Sequence, residues 1–212
     1  YGASFDWDVP LLDGYRSRFL TNVARRPEVE RFWGCNTPEI AAIIADRRFD
    51  AFIVHGWSTF SYWQAMMACW RSATPVLVRG DSNLGTPRAG WWRALKRPLF
   101  RAFIPRFDGY LVVGSRAREY LVHYGARAQR CFDSPHCVDN AYFAGAADRL
   151  RAERATIRRE FGLPAGAVVF LFVGRFIPLK RPELVVTAVA SAGARGLNAA
   201  ALLVGDGPLR PE

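Results

Sequence analysis

The chain has 212 residues, half of them hydrophobic, and a formal net charge of +10. That apolar content is enough for a sizeable core and excludes global disorder. No apolar run approaches the ~20 residues that span a bilayer, and Tyr1 with its polar neighbours does not read as a signal peptide.

The first predicted element is a helix after Thr37-Pro38-Glu39, with Thr37 as its cap and Ile40, Ile43 and Ile44 on one face. A strand follows over 49–55, then a helix rich in aromatics and methionine over 59–71. Residues 75–78 read as a second strand and 79–90 as a polar loop. Residues 91–104 read as a helix broken or kinked near Pro98. A strand over 110–113, a helix over 115–124 and a short strand over 129–132 come next. A charged helix is expected over about 148–161, ended by Gly162 and Pro164. Strand 167–173, helix 182–195 and strand 199–204 complete the order. Alternating strands and helices predict parallel strands in a doubly wound α/β sheet. The domain boundary is expected within 140–148, where Ala and Gly dominate.

The four cysteines, at 35, 69, 131 and 137, include no C-x-x-C pair. They read as reduced thiols of a cytoplasmic protein. Cys131, His136 and Cys137 stand close in sequence, but no second ligand pair follows at structural-zinc spacing. No metal site is expected.

The most informative stretch is 168–180, Val-Val-Phe-Leu-Phe-Val-Gly-Arg-Phe-Ile-Pro-Leu-Lys. Six apolar residues read as a strand buried on both faces. Gly174 ends it, and Arg175 and Lys180 fall in the loop at the strand's carboxyl end, where open α/β sheets bind ligands. Pro182 and Glu183 open the next helix. Two fixed cations beside a helix N-terminus suit a diphosphate. An ordinary strand-loop-helix with solvated cations has the same pattern. Gly205-Asp206-Gly207 begins like a dinucleotide fingerprint, but the third glycine would fall at Arg210, so the fingerprint fails.

Gly174-Arg175 with Lys180, followed by Leu203-Val204-Gly205-Asp206-Gly207-Pro208-Leu209, resembles family 4 of the retaining glycosyltransferases. Upstream, Pro135-His136-Cys137-Val138-Asp139 with Phe143 resembles the family's Pro-Asn-Gly-Val-Asp segment. Val112-Val113-Gly114-Ser115, and the strand from Asp50 to Gly56 with His55, match in order. The resemblance spans roughly 37–209. It implies a GT-B-like fold of two Rossmann-like doubly wound domains: a partial acceptor-side domain over 1–145 and the start of a nucleotide-sugar donor domain over 146–212. It implies transfer of a sugar from a nucleotide-diphosphate sugar to an acceptor hydroxyl, with retention and without a metal. The donor would be a co-substrate, so no cofactor is implied. Gly174, Arg175 and Lys180 would hold the donor diphosphate, and Gly205, Asp206 and Gly207 would form a turn beside the nucleotide. The family's Glu-x7-Glu motif is absent, because no two glutamates here stand eight apart. The chain therefore reads as a piece cut at both ends, inactive alone.

His55 and Asp81 are the candidate catalytic residues. His55 follows a strand directly, near the sugar or acceptor; the alternative is a histidine packed under Trp57. Asp81 stands where the family usually carries a histidine that contacts the transferring sugar. It would hold the acceptor or sugar, or else close its own turn.

The stretch 88–106 interleaves Trp91, Trp92, Leu95, Leu99, Phe100 and Phe103 with Arg88, Arg93, Lys96, Arg97, Arg101 and Arg106. Such a helix suits an anionic membrane surface; an amphipathic helix over the sheet reads the same way. The first function class is thus a glycosyltransferase acting on a glycan or lipid-linked acceptor, cytoplasmic or peripheral at the inner face of the membrane. The second is a non-catalytic basic α/β module that binds phosphate-bearing surfaces. Nucleic acid is not an expected partner, because no nucleic-acid-binding module is recognisable.

Overall fold

A computed structural model describes residues 12–85 and 90–210, the side chains of 90–95 excepted. The chain divides into two compact units, one over Tyr15–Cys137 and a second that includes Val138–Glu212.

The first unit is a four-stranded parallel sheet in the order β1 (Phe52–Val54), β2 (Val76–Gly80), β3 (Gly109–Val112), β4 (Cys131–Asp133). Its helices are α1 (Ile40–Arg47), α2 (Phe60–Ser72), α3 (Gly90–Phe103) and α4 (Ser115–His123). Residues opposite one another across a parallel sheet share a face. Val54 pairs with Val78, Val78 with Tyr110, and Tyr110 with Cys131. All four are buried, so this row is the floor of the core. The neighbouring row belongs to the other face, where Ile53 and Phe132 are half exposed.

The core above the floor is aromatic. Phe107 and Tyr110 are fully buried, and Trp63 stacks on Phe103 with centroids 4.7 Å apart. The Tyr110 hydroxyl donates to the carbonyl of Ile104 at 2.7 Å. Burial pushes its pKa up to about 12. Asp108 joins the starts of two strands: its carboxylate accepts from the amide of Val76 at 2.9 Å, and its own amide donates to the carbonyl of Val76. Helix α1 buries Ile40 and Ile44, one turn apart. The predicted cap is different, however. The Thr37 hydroxyl pairs with that of Ser61, and Thr37 serves the helix start through its carbonyl, which accepts from Ile40.

The second unit holds α5 (Asn140–Leu150), α6 (Arg154–Glu160), β5 (Val168–Val173), α7 (Glu183–Ala194) and β6 (Ala199–Val204). Strands β5 and β6 pair in parallel, from Val168 opposite Ala199 to Val173 opposite Val204. Two expectations change here. Residues 140–148 are helical, because alanine is the best helix former and the Asp139 carboxylate caps the amide of Tyr142 at 2.8 Å. The charged helix expected over 148–161 is split accordingly into the end of α5 and α6. Strand β5 is present, yet it is not buried on both faces: Val168, Leu171 and Val173 are all more than half exposed. Among the described residues its sheet has two strands and α7 packs on them, so most of its apolar side chains meet no second layer there. The α/β class with parallel strands is as the sequence predicts.

Candidate functional site

In a parallel sheet every strand delivers its carboxyl end to the same edge, and loops there carry the binding groups. His55 follows β1 and Asp81 follows β2 on that edge, and both are exposed. The packed-histidine alternative does not hold, because Trp57 packs instead among Phe100, Phe103 and Tyr120. Nor does Asp81 close its turn: among the described residues its carboxylate accepts no hydrogen bond, and the side chain of Asn83 does that work on the amide of Gly85 at 3.0 Å.

Arg79 is the edge residue that sequence reasoning undervalued. Its guanidinium reaches past β3 to the segment after β4. Nε donates to the Ser134 hydroxyl at 3.4 Å and Nη2 to the Ser134 carbonyl at 3.3 Å. Nη2 also lies 3.4 Å from Nδ1 of His136. A guanidinium only donates, so this contact needs Nδ1 as acceptor and leaves the ring proton on Nε2. Arg79 and His136 stand 57 positions apart, and no local pattern links them; strand order alone does.

The donor-side residues are brought together in the second unit. The amide of Gly174 donates to the carbonyl of Val204 at 3.0 Å, and that of Phe176 to the carbonyl of Asp206 at 2.8 Å. The loop carrying Arg175 and Lys180 therefore lies against the Gly205–Gly207 turn. The two glycines are required by this contact. A Cβ on Gly205 would sit 1.9 Å from the Gly174 carbonyl oxygen, and one on Gly207 2.6 Å from that of Phe176. Close approach of two backbones, not of a ligand, accounts for both. The Asp206 carboxylate accepts from the amide of Gly207 at 2.8 Å and lies 3.6 Å from Arg210. Lys180 is exposed and Arg175 half-buried. Arg181, the next cation, pairs with Glu183 at 3.3 Å.

The basic helix α3 spends part of its charge inside its own unit. The Lys96 ammonium lies 4.2 Å from the Phe100 ring centre and 5.0 Å from that of Tyr120, whose hydroxyl it reaches at 2.6 Å. Arg106 stacks 4.1 Å over Trp70. Arg97, Leu99 and Arg101 are exposed; the side chains of Arg88, Trp91, Trp92, Arg93 and Leu95 lie outside the described residues. No helix among the described residues is long and apolar enough to cross a membrane. Cys131 is buried with its thiol toward the carbonyl of Arg127, at 3.7 Å, while the His136 ring contacts Arg79.

Comparison with known proteins bears on the identity of this arrangement. Two D-inositol 3-phosphate glycosyltransferases are similar over short stretches. That of Geodermatophilus obscurus is 40% identical over 74 residues, 35% of this chain and 15% of the relative. That of Kineococcus radiotolerans is 45% identical over 73 residues, 34% of this chain and 16% of the relative. The match thus spans about a sixth of the length of these curated relatives. Among solved structures, UDP-N-acetylglucosamine 2-epimerase from Rickettsia bellii aligns at a TM-score of 0.39 with 17% identity, over 80% of this chain and 42% of the other. The model of Glycosyltransferase Family 4 matches residues 7–142, well over half of the chain. On that extent of match the chain belongs to Glycosyltransferase Family 4.

Proposed function

We propose that the protein transfers a sugar from a nucleotide-diphosphate sugar to an acceptor hydroxyl, with retention at the anomeric carbon and without a metal ion. The bond from that carbon to the diphosphate breaks, with its electron pair leaving on the diphosphate. The acceptor oxygen bonds the same face of the carbon and passes its proton to the departing diphosphate oxygen. Arg175 and Lys180 take the charge that develops on the leaving diphosphate, the part a divalent cation would otherwise play. Gly205, Asp206 and Gly207 stand beside the nucleotide. His55 and Asp81, on the edge of the other sheet, serve the sugar and the acceptor. Arg79 holds His136 in the tautomer that leaves Nε2–H free to donate.

The observation that carries the reading is the pairing of the 174–176 segment with the 204–206 segment at the carboxyl ends of β5 and β6. Two segments about thirty residues apart are joined beside Arg175, and Lys180 follows on the same loop. Family membership supports glycosyl transfer as the chemistry. The contact of Lys96 with Tyr120 of α4 favours a covering helix for α3 over a membrane-docked one. The test is release of nucleoside diphosphate from a panel of nucleotide sugars by the protein in its longest expressed form, with and without added chelator. Chelator-resistant, acceptor-dependent release is expected. Release that stops with chelator would remove the metal-independent mechanism.

A further inference from the structure

We propose that the loop ahead of α1 is an acceptor subsite for a sugar ring that carries an anionic group. The proposal rests on the glycosyl-transfer reading and names what its acceptor side recognises. The loop is fixed before any ligand arrives. The Asn22 side chain donates to the carbonyl of Gly34 at 2.9 Å and accepts from the amides of Ala24 and Asn36 at 3.1 and 2.9 Å. The amide of Glu28 donates to the carbonyl of Gly34 at 3.0 Å. Gly34 is buried there, and a Cβ on it would lie 1.9 Å from the Glu28 carbonyl oxygen. Gln64 of α2 anchors the loop's end, donating to the Asn36 side chain and accepting from the amide of Thr37, each at 2.9 Å.

On this fixed frame stands a large aromatic surface turned to solvent. Trp33 is 68% exposed. Its ring is set edge-on to Phe32 with centroids 4.8 Å apart, and 4.9 Å from Phe60, the first residue of α2. Residue 60 closely follows His55, so the platform adjoins the loop at the carboxyl end of β1. A rigid loop that displays a rigid indole bears the mark of a recognition surface. Phe32 and Trp33 line a groove of about 560 Å³ together with Val23, Arg25, Arg26 and Arg31, a size within the range of ligand sites, roughly 300–1,000 Å³. Arg31 is paired with Glu28 at 2.5 Å. Arg25 and Arg26 are exposed and make no ion pair among the described residues. The aromatic face fits the apolar C–H face of a pyranose, and the two arginines fit a phosphate or carboxylate on it.

The experiment uses the 212-residue chain labelled with ¹⁵N and follows the Trp33 indole N–H, assigned by its absence in Trp33→Phe. Glucose 6-phosphate, glucose, inorganic phosphate and a nucleoside monophosphate are titrated in turn. Saturable movement with glucose 6-phosphate is expected. Glucose and inorganic phosphate should each bind about tenfold or more weakly, because each lacks one half of the recognition. The double variant Arg25→Gln/Arg26→Gln should bind glucose 6-phosphate no better than glucose. Trp33→Ala, an exposed substitution that leaves the core intact, should abolish binding read by the ligand's own resonances. No saturable movement, parity with inorganic phosphate, or tighter binding of the nucleoside monophosphate would each overturn the proposal. Such a result with Arg175-dependent nucleotide-sugar binding intact removes this groove alone. Groove binding together with nucleotide-sugar binding that does not depend on Arg175 removes the donor reading instead.

Discussion

Gly205→Ala tests whether two backbones meet where the donor loops are joined. The new Cβ would stand 1.9 Å from the carbonyl oxygen of Gly174, far inside van der Waals contact, on a residue with φ of +149°. Backbone strain of this kind costs about 1–3 kcal/mol, and overpacking about 1–3 kcal/mol more. The sum, about 2–6 kcal/mol, falls on the hydrogen bonds from Gly174 to Val204 and from Phe176 to Asp206. Hydrogen exchange reads them directly, and each 1.4 kcal/mol of local stability is about tenfold in rate. Exchange of those two amides should therefore accelerate by at least about thirtyfold. Trp33, Trp57, Trp63 and Trp70 belong to the other unit, so their contribution to a fluorescence melt should be unchanged. Gly193→Ala is the control: it lies in α7, its Cβ meets nothing within 4 Å, and it should gain about 0.5–1 kcal/mol. Unchanged exchange at Gly174 and Phe176 in Gly205→Ala would refute the backbone-contact account of these glycines.

Three other outcomes follow from the geometry. Lys96→Met should lower the melting temperature of the unit over Tyr15–Cys137 by an amount equivalent to about 1–2 kcal/mol, because a half-buried cation–π contact and a hydrogen bond to Tyr120 are lost; exposed Arg97→Met should change it little. Burial pushes the Cys69 thiol from 9.0 up to about 11. The unfolded chain therefore ionises first, so from this group stability is level below pH 9 and falls between pH 9 and 11, as denaturant titrations across that range would show. In the same protein at pH 8, iodoacetamide should modify exposed Cys137 and spare buried Cys69, read by peptide mass spectrometry.

The order of elements was readable because apolar runs punctuated by Gly and Pro carry local signals. Strand 199–204 is found where its apolar run predicts it, and β2 and β3 match within a residue or two of their Val-rich runs. What failed needed non-local knowledge. The apolar run of β5 announced burial, but burial depends on a second layer that the run does not encode. The helix over residues 140–148 was not read from the sequence, because Ala and Gly are ambiguous until a cap such as Asp139 fixes one outcome. The contact of Gly205 and Gly207 with the chain's own 174–176 segment had no local signal, since it joins the ends of two strands. The link from Arg79 to Ser134 and His136 had no sequence signal, since it spans strands that only the sheet makes neighbours.

The central claim is that Arg175 and Lys180 hold the diphosphate of a nucleotide sugar. Calorimetric binding of a nucleoside diphosphate and its sugar to the 212-residue chain tests it most directly. Each charge-assisted contact to phosphate is worth about 1.5–3 kcal/mol, so Arg175→Ala and Lys180→Ala should each weaken binding by about 10- to 150-fold. Arg175→Lys should stay weak, because one ammonium does not reproduce a bidentate fork. Arg181→Ala, which removes a neighbouring cation already paired with Glu183, should bind as the unaltered chain does. Equal losses in Arg175→Ala and Arg181→Ala would contradict the claim and assign the binding to general surface charge.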